Sequence, residues 1–312
     1  MKWILLAFAL VASTVNAQSV TRIVVPFAAG GVQDIVARSF NAELGAALGR
    51  TVIVENRAGA GGTIGTGSVA KAAPDGQTLI LAAASHTIAG SLYTKLAYDP
   101  LKDFTPIAHI GNVDYVLMSS STIPPRTVAE FVAYGKANPG KLNYATAGNG
   151  SATHLSMAYF ASMAGLDMVH VPFKATGEAV NEVLAGRAHA VIAANIGAIP
   201  YAKDARVRML GSTGAKRSKF LPDLPTVDES GVPGYAFDSW IGLLGPAGLP
   251  RAQVDAINAA VAKLLNDPTI LARLDKQGVI PQAMTPEAFA QLLREDFAKM
   301  ARVVKASGAR ID

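Results

Sequence analysis

The sequence predicts an α/β protein made of two similar units, and three observations support this prediction. Short β-branched runs alternate with segments of helical spacing near the start of the chain. The same alternation returns in the middle, and the stretch from Pro250 onward has mostly amphipathic helical spacing. Because strands that alternate with helices pair in parallel through right-handed crossovers, we expect a mostly parallel sheet in each unit.

The first unit contains three predicted strands and two predicted helices. The strands are the apolar runs TRIVVPF, TVIVEN and TLILAAA, and the helices cover Val32–Leu48 and Thr63–Ala73. Pro26 stops the first strand, and the turn signal Pro74-Asp75-Gly76 closes the second helix.

The second unit repeats this order. Its predicted strands are LNYATAG, MVHVPF, AHAVIAA and VRMLGST, and its predicted helices are Thr127–Asn138, His154–Ala164 and Gly177–Ala185. No low-complexity linker separates the units, which indicates that the chain crosses between them more than once. The candidate crossings are Tyr115–Ser121 and Phe237–Gly245.

The first seventeen residues, MKWILLAFALVASTVNA, have the pattern of a secretory signal peptide. Lys2 gives a positive start, Trp3–Val11 is an apolar run too short to span a bilayer, which takes roughly 20 residues, and Val15-Asn16-Ala17 is a small-residue cleavage site. We therefore expect an exported chain that is cleaved near Ala17-Gln18.

Composition excludes several classes of function. The chain has no cysteine, so it offers neither a thiol nucleophile nor a thiolate metal site. Its five histidines lack any metal-ligand spacing, and we expect no metal and no cofactor. The formal charge of +5 comes from scattered basic residues with no arginine–aromatic stripe, which argues against nucleic acid.

A glycine-rich stretch, Asn56–Gly67, follows the second strand and resembles a dinucleotide-binding loop. Its glycines miss the G-x-G-x-x-G spacing, and the next strand ends in alanine and serine where an acidic residue is needed. The prediction is a tight backbone turn with no bound nucleotide.

Two other loops, Pro26–Asp34 and Thr146–His154, each end a strand and begin a helix. Free backbone N–H groups and the helix dipole at such a junction attract an anion, carboxylate as readily as phosphate. An ordinary strand–helix connection is the alternative for the first loop. Lys174, at the end of a strand, is equally compatible with a ligand contact and with a solvated lysine.

Ser151 and His154 raise the question of an exported hydrolase. The nucleophile elbow G-x-S-x-G needs glycine two positions on either side of the serine, and this loop reads Asn149-Gly150-Ser151-Ala152-Thr153. The sequence therefore argues against catalysis at Ser151. If the two units face each other, both anion loops line the cleft between them.

The motifs of the whole mature chain resemble those of the Bug-type receptors, the substrate-binding proteins of tripartite tricarboxylate transporters. The segments that carry this resemblance are VPFAAGGVQDIVAR, VIVENRAGAGGTIGTGSVAKAAPDGQTL, LAYDPLKDFTPIA, YGKANPGKLNYATAGNGSATHL, HVPFKATGEAV, RSKFLPDLPTVDESGVPG and GLLGPAGLP.

This resemblance implies a two-lobed type II periplasmic-binding fold, each lobe a mixed, mostly parallel sheet flanked by helices. Lobe 1 would comprise residues 18–118 and 238–312, and lobe 2 residues 119–237. It implies a periplasmic, monomeric receptor without catalysis that binds a small mono- or dicarboxylate, aromatic and amino acids included, and delivers it to membrane permease subunits. A receptor that serves a sensor kinase is the alternative.

The resemblance also implies the ligand-binding residues. From the first lobe they are Phe27, Ala29, Gly30, Gly31, Asp34 and Ser85, and from the second Gly148, Gly150, Ser151, Thr153, His154, Lys174 and Asn195. The sequence differs from the family's usual pattern at Ala28-Ala29, Ala175–Gly177 and His189, so the resemblance does not identify the ligand.

Overall fold

The computed structural model describes residues 20–307 and residue 309 of the 312-residue chain. The predicted signal peptide lies outside the described residues. The strands are β1 (Val20–Val25), β2 (Thr51–Asn56), β3 (Thr78–Ala83), β4 (Phe104–Ser120), β5 (Leu142–Thr146), β6 (Met168–Pro172), β7 (Ala190–Ala194), β8 (Val207–Ser212), β9 (Asp238–Pro246) and β10 (Val279–Pro281).

The helices flank these strands on both faces. They are α1 (Val32–Leu48), α2 (Thr63–Ala70), α3 (Ser85–Leu92), α4 (Val128–Ala137), α5 (Ala152–Ala164), α6 (Thr176–Leu184), α7 (Asn195–Ala198), α8 (Arg251–Leu264), α9 (Pro268–Lys276) and α10 (Pro286–Ser307). Among the described residues no helix is both long enough and apolar enough to cross a bilayer.

Two sheets share the long strand β4. In the first sheet the order is β2-β1-β3-β9-β4, with β10 also on β4; in the second, β5 lies between β6 and β7, and β4 pairs with β7 and β8. Residues up to Asp114 pair with β9, and from Tyr115 onward the pairing is with the second sheet. The chain returns to the first sheet immediately before β9, where the Phe237 N–H donates to the Thr213 carbonyl.

The predicted α/β class, with mixed sheets flanked by helices, is confirmed. The parallel pairings are those of β1 with β2 and β3, and of β5 with β6 and β7. β4 and β9 run antiparallel to their neighbours because the chain passes between the sheets along them. The predicted lobe boundaries stay a prediction, and the strand pairing changes at Asp114–Tyr115.

The packing of the core explains the apolar runs Ile23–Val25 in β1 and Leu79–Ala83 in β3. Helices cover both faces of the first sheet, so Ile23, Val24, Leu79, Ile80 and Leu81 are all fully buried. The carboxyl ends of β1, β3, β5 and β6 each lead through a connection into a helix, and β7 leads into α7 directly. That arrangement positions the site described next.

Candidate functional site

A cleft with about 570 Å³ of empty space, part of it open to solvent, lies where the two sheets meet. It is bounded by the carboxyl ends of parallel strands, which is where open α/β sheets bind ligands. None of the residues that line it carries a formal charge; they are Phe27, Gly31, Val32, Gln33, Ala83, Ser85, Val113, Tyr115, Ala147, Ser151, Ala152, Thr153, Ala175, Thr176, Ala194, Ser239 and Ile241.

On the first sheet's side, helix α1 begins at the cleft without a side-chain cap. Gly31 is its N-cap residue in an extended conformation, and the first backbone bond of the helix runs from the Ile35 N–H to the Gly31 carbonyl. The N–H groups of Val32 and Gln33 therefore have no partner within the helix. Both residues line the cleft, so these donors are available to a ligand.

On the second sheet's side, helix α5 begins at the cleft in a similar way. Ser151 is its N-cap, and the Ser151 hydroxyl accepts from the His154 N–H at 3.2 Å. That cap leaves the N–H groups of Ala152 and Thr153 without an intrahelical partner. α5 thus presents its positive dipole end to the same space as α1.

Two further helices begin at the cleft. Ala175 is the N-cap of α6 and Thr176 its first residue, and Ser85 is the first residue of α3. These three residues line the same cleft as the first residues of α1 and α5. Four helix N-termini around an uncharged space make a region of positive potential without any lysine or arginine, and this is chemistry that binds an anion.

Asp34 was expected to contact the ligand, but it does not line the cleft. Its carboxylate accepts from the Gly30 N–H and from Arg38 Nε, both at 2.9 Å. Burial alone would raise the pKa of Asp34, but hydrogen bonds from Gly30 and Asn56 and the charge of Arg38 hold it below its usual value. Asp34 therefore fixes the shape of the loop that begins α1.

The structure brings five of the predicted residues together on the cleft: Phe27, Gly31, Ser85, Ser151 and Thr153. It places the others away from the lining. Ala29, Gly30 and Lys174 are exposed, and Asn195 is buried, with its amide donating to Ser218 Oγ at 3.1 Å. Gly148 and Gly150 lie in the loop before α5 and His154 lies in its first turn, and none of the three lines the cleft.

His154 is buried in a ring stack and does not contact Ser151 through its ring. Its Nδ1 accepts from the Gly150 N–H at 3.3 Å, and its ring lies 4.2 Å from that of His170. Burial lowers the pKa of each of these histidines to about 4, so both are neutral near pH 7. Neither histidine therefore adds a positive charge beside the cleft near pH 7.

Sequence reasoning missed the residues that form the floor of the cleft. Tyr115 and Val113 lie on β4, and Ser239 and Ile241 lie on β9, where the chain passes between the sheets. The signal was present, because Tyr115 and Ser239 both fall within the candidate crossings. Burial raises the pKa of Tyr115 to about 12, so its hydroxyl stays protonated as a neutral hydrogen-bond donor.

Comparison with known proteins identifies the family of this chain. The family described as "Tripartite tricarboxylate transporter family receptor" matches residues 36–309. The chain belongs to this family. Protein BugT of Bordetella pertussis is 31% identical over 296 residues, which are 93% of this chain and 90% of that protein.

Solved structures of similar proteins have the same fold. Rpa4515 of R. palustris with adipate is 32% identical, with a TM-score of 0.88 over 93% of this chain and 98% of that one. MatC of Rhodopseudomonas palustris with bound malate is 35% identical, with a TM-score of 0.85 over 91% of this chain and 98% of that one. The expected receptor family and its fold are both confirmed.

Within this receptor, replacing Ser151 with alanine is expected to lower the free energy of unfolding by about 1 to 2 kcal/mol, because a helix N-cap is lost. The hydroxyl also donates to the Gly148 carbonyl at 2.7 Å and lies 2.9 Å from Thr153 Oγ1. Urea titration of the ligand-free protein measures the change. The matched control is Ser307→Ala at the far end of α10, and equal stability losses in both variants would contradict the assignment.

Acid is expected to destabilise the fold between pH 6.5 and pH 4. In that range the unfolded state protonates histidines that the folded state keeps neutral, so stability falls as pH falls and is fully present above pH 6.5. Melting temperatures measured across this range should drop less in a His154→Gln/His170→Gln variant than in the wild type. If the melting temperatures of the variant and the wild type fall equally with pH, this histidine pair is not the cause of the acid destabilisation.

Proposed function

We propose that this receptor captures a small organic carboxylate in the cleft and passes it to the membrane permease subunits of a tripartite transporter. The observation that carries the proposal is the convergence of four helix N-termini on a cleft whose lining residues carry no formal charge. Charge-assisted hydrogen bonds from backbone N–H groups bind a carboxylate strongly in a partly desolvated space.

The chemistry of the lining favours a carboxylate with an uncharged body. Hydroxyls of Ser85 and Tyr115 can donate to the ligand, while Val113 and Ile241 offer apolar surface. A cationic ligand would meet helix N-termini and no carboxylate, which disfavours it. The adipate and malate of the related Rpa4515 and MatC structures support the same ligand class.

We further propose that the protein has no catalytic activity and acts as a monomer in the periplasm. The Ser151 hydroxyl is engaged in capping α5, and His154 is stacked on His170 with its Nδ1 facing the Gly150 N–H. The His154 ring is therefore not positioned to accept a proton from the Ser151 hydroxyl. The export pattern of residues 1–17 supports the periplasmic location.

Isothermal titration of the mature chain tests the proposal. The panel consists of adipate, malate, an aromatic monocarboxylate and an acidic amino acid, each paired with its amide. We expect at least one acid to bind with micromolar or tighter affinity and its amide to bind at least a hundredfold more weakly. Equal binding of an acid and its amide, or failure of every acid, would overturn the carboxylate assignment.

A further inference from the structure

The glycine turn Gly59–Gly62, which precedes α2, touches both sides of the cleft. A Cβ on Gly62 would lie 3.3 Å from the ring of Phe27, which lines the cleft on the first sheet's side. A Cβ on Gly61 would overlap the carbonyl oxygen of Asn149, in the second sheet's loop before α5. Only glycine at position 61 lets the two loops approach this closely.

Tyr93 joins the same contact from the end of α3. Its hydroxyl donates to the Ala60 carbonyl at 2.8 Å and also reaches the Asn149 carbonyl at 3.4 Å. A Cβ on Gly61 would come within 2.8 Å of this hydroxyl as well. The Tyr93 side chain and the glycine turn, both on the first sheet's side, therefore meet the Asn149 carbonyl on the second sheet's side.

The backbone of the turn is held in an uncommon conformation. Ala60 has φ +46° and is the one non-glycine residue with positive φ in the described part of the chain. Gly59, Gly61 and Gly62 on either side also have positive φ. Such conformations persist where surrounding structure fixes them, and they concentrate at ligand clamps and switches.

The two sides of the cleft are joined through a hinge, because β4 changes partners at Asp114–Tyr115 and β9 begins beside it. Hinged domains of this kind close around a ligand. We propose that Ala60, Gly61, Tyr93 and Asn149 form a latch that holds the cleft closed. Gly61 and Tyr93 are thus positioning residues for ligand capture, and this inference rests on the proposed function.

The chain has no cysteine, so a spin-labelled pair at Lys71 and Lys174, one exposed residue on each side, reports the opening of the cleft. Pulsed electron resonance is measured on Gly61→Ala and on Gly49→Ala, without acid and with each acid of the panel. Gly49 has φ +64° against +63° for Gly61, with open space around it, so the control carries the same backbone penalty without the clash.

We expect Gly61→Ala to lose most of the short-distance population and, where an acid binds, to weaken its affinity at least tenfold through faster dissociation. Gly49→Ala should match the wild type in both measurements, and Tyr93→Phe should have a smaller effect of the same sign. If no acid binds but Gly61→Ala still opens the cleft, the latch stands and the carboxylate assignment fails. Equal distance distributions in all variants, or no short-distance population in the wild type, would overturn the latch.

Discussion

Replacing Ala152 with aspartate is expected to abolish binding of organic acids while leaving the fold intact. Ala152 is the first residue of α5 and lines the cleft. Ala152 is buried, so a carboxylate there has a desolvation cost, but acidic side chains are favourable in the first turn of a helix and this offsets part of that cost. It places a fixed negative charge beside the N–H donors that the ligand needs.

The size of this effect follows from electrostatics. Two like charges about 4 Å apart repel by roughly 4 kcal/mol at an effective dielectric constant of 20, which is about a thousandfold in affinity. Isothermal titration with the tightest acid of the panel measures the loss. Ala152→Asn is the matched control, since it has the same shape without the charge, and should retain most of the affinity.

Two results would contradict this interpretation. If Ala152→Asn loses as much affinity as Ala152→Asp, the cause is steric and the positive potential of the cleft plays no part. If Ala152→Asp binds the acid as the wild type does, α5 does not face the carboxylate. Urea unfolding of both variants separates these outcomes from a loss of folded protein.

Replacing Gly31 with valine is expected to weaken acid binding by about a hundredfold. Gly31 has φ −74°, a conformation that valine adopts freely. Its added Cβ would lie 3.2 Å from the Ala28 carbonyl oxygen, and the methyl groups would enter the cleft beside the N–H groups of Val32 and Gln33. Losing one or two charge-assisted hydrogen bonds, at about 1.5 to 3 kcal/mol each, gives this magnitude.

Gly67→Val is the control for this substitution. Gly67 lies in α2 away from the cleft, and its added Cβ would make an ordinary contact at 3.5 Å with Tyr98. The free energy of unfolding of Gly31→Val should fall by only about 1 kcal/mol, the cost of a poorer N-cap. Unchanged affinity in Gly31→Val would remove α1 from the binding site.

Several elements could be predicted from the sequence because their signals are local. α1 and β2 have the predicted bounds, since a glycine-terminated amphipathic run and a short β-branched run are unambiguous. α3 was missed because six of its eight residues are buried, which removes the polar face that marks a surface helix. β4 was not predicted as a strand; only its second half was noted, as the candidate crossing Tyr115–Ser121.

The glycine-rich stretch Asn56–Gly67 shows which features can be predicted from local residue spacing and which cannot. The sequence predicts correctly that it contains a tight turn, since several of its glycines have positive φ. Its contact with Asn149 joins residues 88 positions apart, and no local pattern encodes such a distance. The same holds for Tyr115 and Ser239, which line one cleft only because β4 and β9 pair where the chain passes between the sheets.

The sequence by itself determined the α/β class, the receptor family and the two loops whose helices begin at the cleft. Those conclusions depend on residue spacing within single elements and on motifs of this chain. The tertiary structure decided which residues line the cleft: Asp34 and His154 lie outside the lining, and Tyr115 and Ser239 belong to it. A side chain's direction depends on what packs against it, and that is fixed only when distant strands pair.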